Sequence, residues 1–127
     1  MALPGMITAI ALIEYVFFTL QVGMKRAELG VEAPAISGNE VWERYFRVQQ
    51  NTLEQLVIFV PSLWLFAHFW SPTIAAGVGL LFVIGRPIYF AAYVKAPSSR
   101  TVGFLLGFLS NVVLVLGSLA GAIRALL

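Results

Sequence analysis

Four polar side chains stand at helical spacing at the start of an otherwise apolar segment of this 127-residue chain. They are Arg44, Arg47, Asn51 and Glu54. Residues separated by three and four positions project from one face of an α-helix, here within an arc of about 80° over about two and a half turns. The same segment continues without a break into apolar sequence as far as Trp70. The spacing therefore predicts a polar helix face that enters a membrane.

A second polar face follows on the next apolar segment, where Arg86, Tyr89 and Tyr93 share the same spacing. A charge at this depth costs several kcal/mol unless it faces a partner or a polar cavity. One solution is an internal ion-pair network, for example between Glu54 and Arg86. The alternative is an anionic ligand, because arginines outnumber the single deep acid on this side and guanidinium groups match carboxylates. The arginines are Arg26, Arg44, Arg47, Arg86 and Arg100.

Composition identifies the environment of these faces. The chain is 60% hydrophobic and only 11% charged, with a mean hydropathy of +0.90. Apolar stretches cover approximately residues 3–24, 52–70, 73–94 and 101–123, each close to the roughly 20 residues that cross a bilayer. We predict an all-α integral membrane protein whose single domain, residues 1–127, is a four-helix transmembrane bundle. The opening "MALPG" carries no basic residue, so we expect the first helix to be mature structure and not a cleaved signal.

The distribution of basic residues predicts the orientation. The short connection "SPT" between the second and third apolar stretches has no basic residue, whereas the first and third connections are flanked by several. The positive-inside rule then puts the first and third loops in the cytoplasm and both termini outside, with Arg124 as the one exception. The flanking residues are Lys25, Arg26, Arg44, Arg47, Lys95 and Arg100.

Several function classes are excluded or disfavoured. There are no cysteines, so a protein thiol cannot act as nucleophile, redox centre or zinc ligand. His68 has no second histidine or carboxylate at ligand spacing, and we predict no metal site. The net charge of +2 is too small and dispersed to indicate nucleic-acid binding. In the fourth helix, Gly103-x-x-x-Gly107 and Gly117-x-x-x-Gly121 predict close helix packing without chemistry.

Three separated motifs resemble one family. "ERYFRVQQNTLE" (residues 43–54) closely resembles the E-R-x-x-R-x-Q-x-N-x-x-E signature of the membrane-associated proteins in eicosanoid and glutathione metabolism, the MAPEG family. "RPIYFAAYVKAPSSR" (86–100) is similar to that family's Arg-x-x-Tyr-x-x-x-Tyr segment and loop arginine, and "LQVGMKR" (20–26) to the end of its first helix. The resemblance spans essentially the whole chain.

The resemblance implies a homotrimer of four-helix subunits that binds glutathione as co-substrate between neighbouring subunits, near the cytoplasmic face. It implies a detoxifying glutathione transferase that acts on lipophilic electrophiles, or a glutathione peroxidase that acts on hydroperoxides. We expect a bacterial inner-membrane member of the family. Arg100 falls on the catalytic arginine beside the sulfur. The positions that hold glutathione correspond to Arg26, Arg47, Gln49, Asn51, Glu54, Arg86, Tyr89 and Tyr93.

Two departures from the family pattern disfavour a leukotriene or prostaglandin synthase. Gln55 stands where eicosanoid-forming relatives often have tyrosine, and Ala27 stands where the leukotriene-forming enzyme has a second arginine. Glu14 matches no family motif and favours a rival hypothesis, a small proton-coupled multidrug antiporter. The arginine-rich face would repel a cationic drug, which argues against that rival. Another alternative is a non-catalytic, lipid-binding family member, although the retained arginines and Arg100 favour catalysis.

Overall fold

Four long α-helices make up nearly the whole chain in the computed structural model, which describes residues 1–127. They are α1 (Ala2–Leu29), α2 (Glu40–Phe69), α3 (Pro72–Lys95) and α4 (Thr101–Leu126), with a single 3-10 turn at Pro97–Ser99. All four are long and apolar enough to cross a membrane. The predicted all-α, four-helix membrane class is confirmed. The helices are longer than the apolar stretches, most clearly α2, because its polar first turns continue the same helix.

Local sequence signals explain where the helices begin and end. Asn39 caps α2 by accepting a hydrogen bond from the Trp42 backbone N–H over 3.0 Å, and Ser71 caps α3 by accepting one from Ile74 over 3.2 Å. Such side-chain oxygens satisfy amide groups that have no partner within the helix. Gly30 ends α1 in the left-handed conformation, with φ of 72°, which glycine adopts without a steric penalty. The first residue of α2 is accordingly Glu40.

Polar contacts show that α1 and α2 run antiparallel. The Trp64 indole N–H donates to Thr8 Oγ1 over 2.9 Å at one end of the pair. Gln49 donates to Thr19 Oγ1 over 3.1 Å towards the other end. Because the helices alternate in direction along the chain, α3 runs parallel to α1, and α4 runs parallel to α2.

Two contacts fix the register between the parallel helices α2 and α4. Asn111 Nδ2 donates to Gln55 Oε1 over 2.9 Å, and Ser118 Oγ donates to the Ser62 carbonyl over 3.1 Å. The partners in both contacts are separated by 56 residues along the chain. Hydrogen bonds between membrane helices are satisfied within the protein because the surrounding hydrocarbon offers no partner.

The glycines of α4 allow its neighbours to approach closely, as the spacing predicted. A Cβ on Gly103 would collide with the backbone N and Cα of Tyr89 on α3, and one on Gly117 with the ring of Phe66 on α2. The interior is otherwise filled by large apolar groups, including the rings of Phe59 and Phe82, which stack with centroids 4.0 Å apart. Leucine, isoleucine and valine side chains cover much of the outer surface, as expected of a protein surrounded by lipid or by further copies.

Candidate functional site

A cavity of about 480 Å³ lies at the end of the bundle where α2 begins and α3 ends. Five of the nine predicted site residues line it, and they come from three different segments of the chain. Three further lining residues, from the first five residues of α4, were not predicted. The lining residues are Arg47, Asn51, Tyr89, Tyr93, Arg100, Thr101, Phe104 and Leu105.

The turn between α3 and α4 positions Arg100 at this cavity. Ser99 Oγ donates to the carbonyls of Ala92 and Ala96 over 3.0 and 2.7 Å, which closes the end of α3. Arg100 then donates from Nη1 to the Pro97 carbonyl over 3.2 Å and is otherwise exposed. Pro97 and the two serines thus form the turn that separates α3 from α4. The guanidinium group is thus available to an anionic ligand in the cavity.

Arg86 lies behind the wall of the cavity and does not line it. Its side chain is only 1% exposed, and Nη1 donates to Asn51 Oδ1 over 2.8 Å and to Thr52 Oγ1 over 3.2 Å. The guanidinium group also lies 4.3 Å from the centre of the Tyr89 ring, a favourable cation–π distance. Arg86 therefore holds Asn51 and Tyr89, two residues that do line the cavity.

Glu54 does not pair with Arg86, so the ion pair suggested from the sequence is wrong. Its carboxylate lies 3.8 Å from Arg47, and both side chains are more than half exposed, at 58% and 52%. The helical phase gives the reason: Thr52, which contacts Arg86, faces the interior, and Glu54 lies about 200° further around α2. An exposed pair of this kind contributes about 0–1 kcal/mol to stability. Both charges remain accessible to a ligand.

Arg26 and Gln49 lie outside the cavity, on the side of the molecule formed by α1 and α2. Arg26 donates to the Ala35 carbonyl over 2.7 Å and stacks over Trp42, 4.3 Å from the ring centre. Gln49 is bonded to Thr19 on α1. Within one copy of the chain, Arg26 and Gln49 are therefore separated from the cavity that five of the other predicted site residues line.

Arg44, at the start of the polar face, has a structural partner. It donates from Nη1 to the Lys95 carbonyl over 3.2 Å and to the Val94 carbonyl over 3.4 Å. These carbonyls belong to the last turn of α3, where a cation is stabilised by groups that have no partner within the helix. Arg44 therefore joins α2 to the end of α3, and its side chain does not reach the cavity lining.

The family model for MAPEG matches residues 4–120 of the chain. The chain belongs to the MAPEG family. An uncharacterized protein of Synechocystis is 50% identical over 116 residues, 91% of this chain and 85% of that protein. Human microsomal glutathione S-transferase 2 is 38% identical over 107 residues, 84% of this chain and 71% of that protein. Mouse leukotriene C4 synthase is 32% identical over 99 residues, 78% and 66% respectively.

MAPEG membership and the four apolar helices together identify an integral membrane protein. At one end of this bundle, two arginines from different segments, an amide and two stacked tyrosines surround one cavity. Such a set can bind carboxylates and can stabilise a developing anion. Sequence analysis missed Thr52 and Phe104. Phe104 was within reach of helical spacing, since it lies one turn after Arg100. Thr52 was not, because it lies about 100° around α2 from Asn51 and outside the predicted polar face.

Proposed function

We propose that this MAPEG protein is a membrane glutathione transferase that acts on lipophilic electrophiles and reduces lipophilic hydroperoxides as a second activity. The observation that carries the proposal is the convergence of Arg47, Asn51 and Arg100 on one cavity. Glutathione supplies two carboxylates, an ammonium group and a thiol. The carboxylates suit the arginines, the ammonium group suits Glu54, and the thiol suits a chain without cysteine.

The relatives favour a transferase over an eicosanoid synthase. Identity is higher to human microsomal glutathione S-transferase 2 than to mouse leukotriene C4 synthase, at 38% against 32%. Gln55 and Ala27 depart from the residues expected of eicosanoid-forming members. In this structure Gln55 accepts a hydrogen bond from Asn111, so its amide is part of the packing between α2 and α4.

Arg100 is the proposed catalytic residue. The thiol of bound glutathione loses its proton to water, and Arg100 stabilises the resulting thiolate by Coulombic attraction and a charge-assisted hydrogen bond. The sulfur electron pair then attacks the electrophilic carbon, and the leaving group departs with its bonding electrons or the product takes up a proton. Lowering the thiol pKa by about two units from its solution value of about 8.5 leaves mostly thiolate at neutral pH.

An apolar groove supports a lipophilic second substrate. A depression of about 500 Å³ between α2 and α4 is lined by seven residues that include Ile58, Phe108 and Val112. Phe108 lies one helical turn beyond Phe104, which lines the polar cavity. A molecule dissolved in the bilayer can therefore lie along the groove with its reactive end near Arg100.

The positions of Arg26 and Gln49 support a glutathione site shared between copies in a homotrimer. Both lie on the α1–α2 side, so they can reach a ligand only in the cavity of a neighbouring copy. A head-to-tail arrangement repeated around a closed ring brings this side of each subunit to the cavity of the next.

Complementation between inactive chains tests the shared site. Arg26→Ser and Arg100→Ser chains are each expected to conjugate poorly alone. When the two chains are co-expressed in equal amounts, about a quarter of the sites should regain activity. At these sites the Arg100→Ser chain supplies Arg26, and a neighbouring Arg26→Ser chain supplies Arg100. Separately purified and mixed detergent trimers that do not exchange subunits provide the control. Absence of recovery in verified mixed trimers would contradict a site between copies.

The proposed location is a bacterial inner membrane, with the cavity at its cytoplasmic face. The arginine-rich end of the bundle is the end that the positive-inside rule assigns to the cytoplasm. The chain contains no cysteine, so single cysteines at Ser37 and Thr73 can report each side. In intact cells, an impermeant thiol reagent should label the Thr73→Cys variant and leave Ser37→Cys unlabelled until lysis. The opposite pattern would reverse the orientation.

Ligand-dependent unfolding separates this function from its rivals. Glutathione should raise the melting temperature of the detergent-solubilised protein in a concentration-dependent way. At a concentration of one hundred times its Kd, the expected gain in the free energy of unfolding is about 2.7 kcal/mol. Conjugation to a lipophilic electrophile should accompany this effect. Binding without conjugation would indicate a non-catalytic member. A shift with a quaternary ammonium drug and none with millimolar glutathione would favour the antiporter suggested by Glu14.

A further inference from the structure

Glu14 is an acidic residue in the middle of α1 that the proposed mechanism does not use. It is half-buried, and its Oε1 atom is buried without a hydrogen-bond partner in the chain. It lies beside a small cavity of about 330 Å³ between α1 and α3, which Phe18, Pro87 and Phe90 also line. A carboxylate in this position is costly unless a cation or a donor compensates it.

Aromatic packing sets the level at which Glu14 meets α3. The rings of Phe18 and Phe90 stack with centroids 5.0 Å apart and an interplanar angle of 16°. Glu14 lies four residues before Phe18, and Arg86 lies four residues before Phe90. Since α1 and α3 run parallel, one turn back along each helix brings Glu14 and Arg86 to the same depth on facing sides.

Arg86 lacks a direct acidic partner. None of the ion pairs in the structure includes it, and the two hydrogen bonds from its Nη1 go to the neutral side chains of Asn51 and Thr52. Its Nε atom is buried without a partner. An acceptor on α1 and a donor on α3, both unpaired and at one depth, can be joined by a single bridging water.

We propose that Glu14 is the counter-ion and positioning residue of Arg86, and that it acts on the glutathione site through the contact between Arg86 and Asn51. This inference rests on the proposed function. Glu14 holds the guanidinium group from the α1 side, while Asn51 and Thr52 hold it from the α2 side. The contacts thus connect α1, which contributes no residue to the cavity lining, with Asn51, which lines the cavity.

The electrostatics give the direction of the effect. A buried cation that loses its compensating anion is strongly disfavoured. When Glu14 is neutral, Arg86 gains by moving towards the water in the cavity, and the hydrogen bond that fixes Asn51 is lost. Glutathione binding weakens as a result. The chemical step is less affected, because Arg100 belongs to a separate turn after α3.

The first experiment compares Glu14→Gln with Thr8→Val. Glu14→Gln removes a negative charge from α1 and Thr8→Val removes a hydroxyl group, but Thr8 contacts Trp64 and not Arg86. We expect Glu14→Gln to raise the Kd and KM for glutathione about tenfold with kcat changed less than twofold. Thr8→Val should leave both constants unchanged, and Glu14→Asp, which keeps the charge, should recover part of the affinity. Equal effects of Glu14→Gln and Thr8→Val, or a loss confined to kcat, would overturn the proposal.

A double-mutant cycle identifies Arg86 as the intermediary. Combining Glu14→Gln with Arg86→Gln should weaken glutathione binding no further than Arg86→Gln alone, whereas independent losses would multiply and contradict the proposal.

Thermal unfolding of the wild type, the two single variants and the double variant needs no glutathione and tests the ion pair even if the proposed function fails. There the double variant should melt above Glu14→Gln, because removing both charges leaves none unpaired. If single variants do not fold, recovery of folding in Glu14→Leu with Arg86→Leu supports the pair, and failure to recover overturns it.

Discussion

Arg86 donates a 2.8 Å hydrogen bond to Asn51, and this bond lies directly behind the cavity that Asn51 lines. A buried charge on α3 is therefore partly satisfied by a residue that also faces the proposed ligand. The consequence is that helix packing and ligand binding share one side chain. Changes at either residue are expected to alter both stability and affinity.

Replacing Asn51 by Ala removes one of the two hydrogen-bond acceptors of Arg86 and one wall of the cavity. We expect lower thermal stability, since hydrogen bonds between membrane helices contribute about 0.6–2 kcal/mol, together with weaker glutathione binding. Thermal unfolding in detergent and calorimetric titration measure the two effects. Asn111→Ala is the matched control, because Asn111 bonds to Gln55 outside this cavity. It should lower stability and leave glutathione affinity unchanged, and an Asn51 variant with unchanged affinity would contradict the assignment.

Replacing Glu54 by Gln tests the proposed partner of the glutathione ammonium group. Glu54 is exposed and shares only a 3.8 Å contact with Arg47, so its loss should weaken glutathione binding several-fold with little change in melting temperature. Arg44→Gln should have the opposite profile, because Arg44 bonds to the carbonyls at the end of α3. Equal losses of affinity at both positions would argue against a specific role for Glu54.

Replacing Arg100 by Ser should separate binding from chemistry. We expect a large fall in the conjugation rate and a smaller change in glutathione affinity, since the lost interaction is strongest with the activated sulfur. The ultraviolet absorbance of the thiolate, titrated with pH in the bound complex, measures the effect directly. The wild-type complex should show a thiol pKa below its solution value, and the variant a value close to solution. If the variant keeps both the lowered pKa and the full rate, Arg100 is not the catalytic residue.

Two glycines of α4 should respond differently to the same substitution. A Cβ at Gly103 collides with the backbone of Tyr89, whereas one at Gly107 makes ordinary contact with the Phe82 ring at 3.6 Å. Gly103→Ala should therefore separate α4 from α3, lower the melting temperature by several degrees and displace Tyr89 from the proposed glutathione site. Gly107→Ala should be tolerated, because alanine favours the helix by about 1 kcal/mol. Circular dichroism melts and glutathione titrations of both variants would reveal the difference, and equal melting temperatures would contradict the close approach.

Much of this architecture could be predicted from the sequence, for physical reasons. A bilayer requires long apolar helices, and spacing of three and four residues identifies a helix face, so the spans and the line from Arg47 to Asn51 were recognisable. The side-chain pairs between helices were not predictable from the sequence. They depend on the rotation of α2 relative to α3, which residue spacing along one helix does not encode. Glu54 was accordingly paired with the wrong arginine. The separation of Arg26 from the cavity has the same origin, since it depends on how the first loop folds back over Trp42.

Gln55 and Ser62 are seven residues apart on α2, and their partners Asn111 and Ser118 are seven residues apart on α4. This match limits where the length of the protein can change during evolution. One residue inserted within either interval rotates the rest of that helix by about 100° and breaks the match, whereas a residue inserted in a connection between helices leaves both contacts in place. Only paired changes of about two whole turns in both helices would restore the match. Length variation among close homologues should therefore concentrate in the connections between helices, above all in residues 31–38 of the first loop, and at the two ends of the chain.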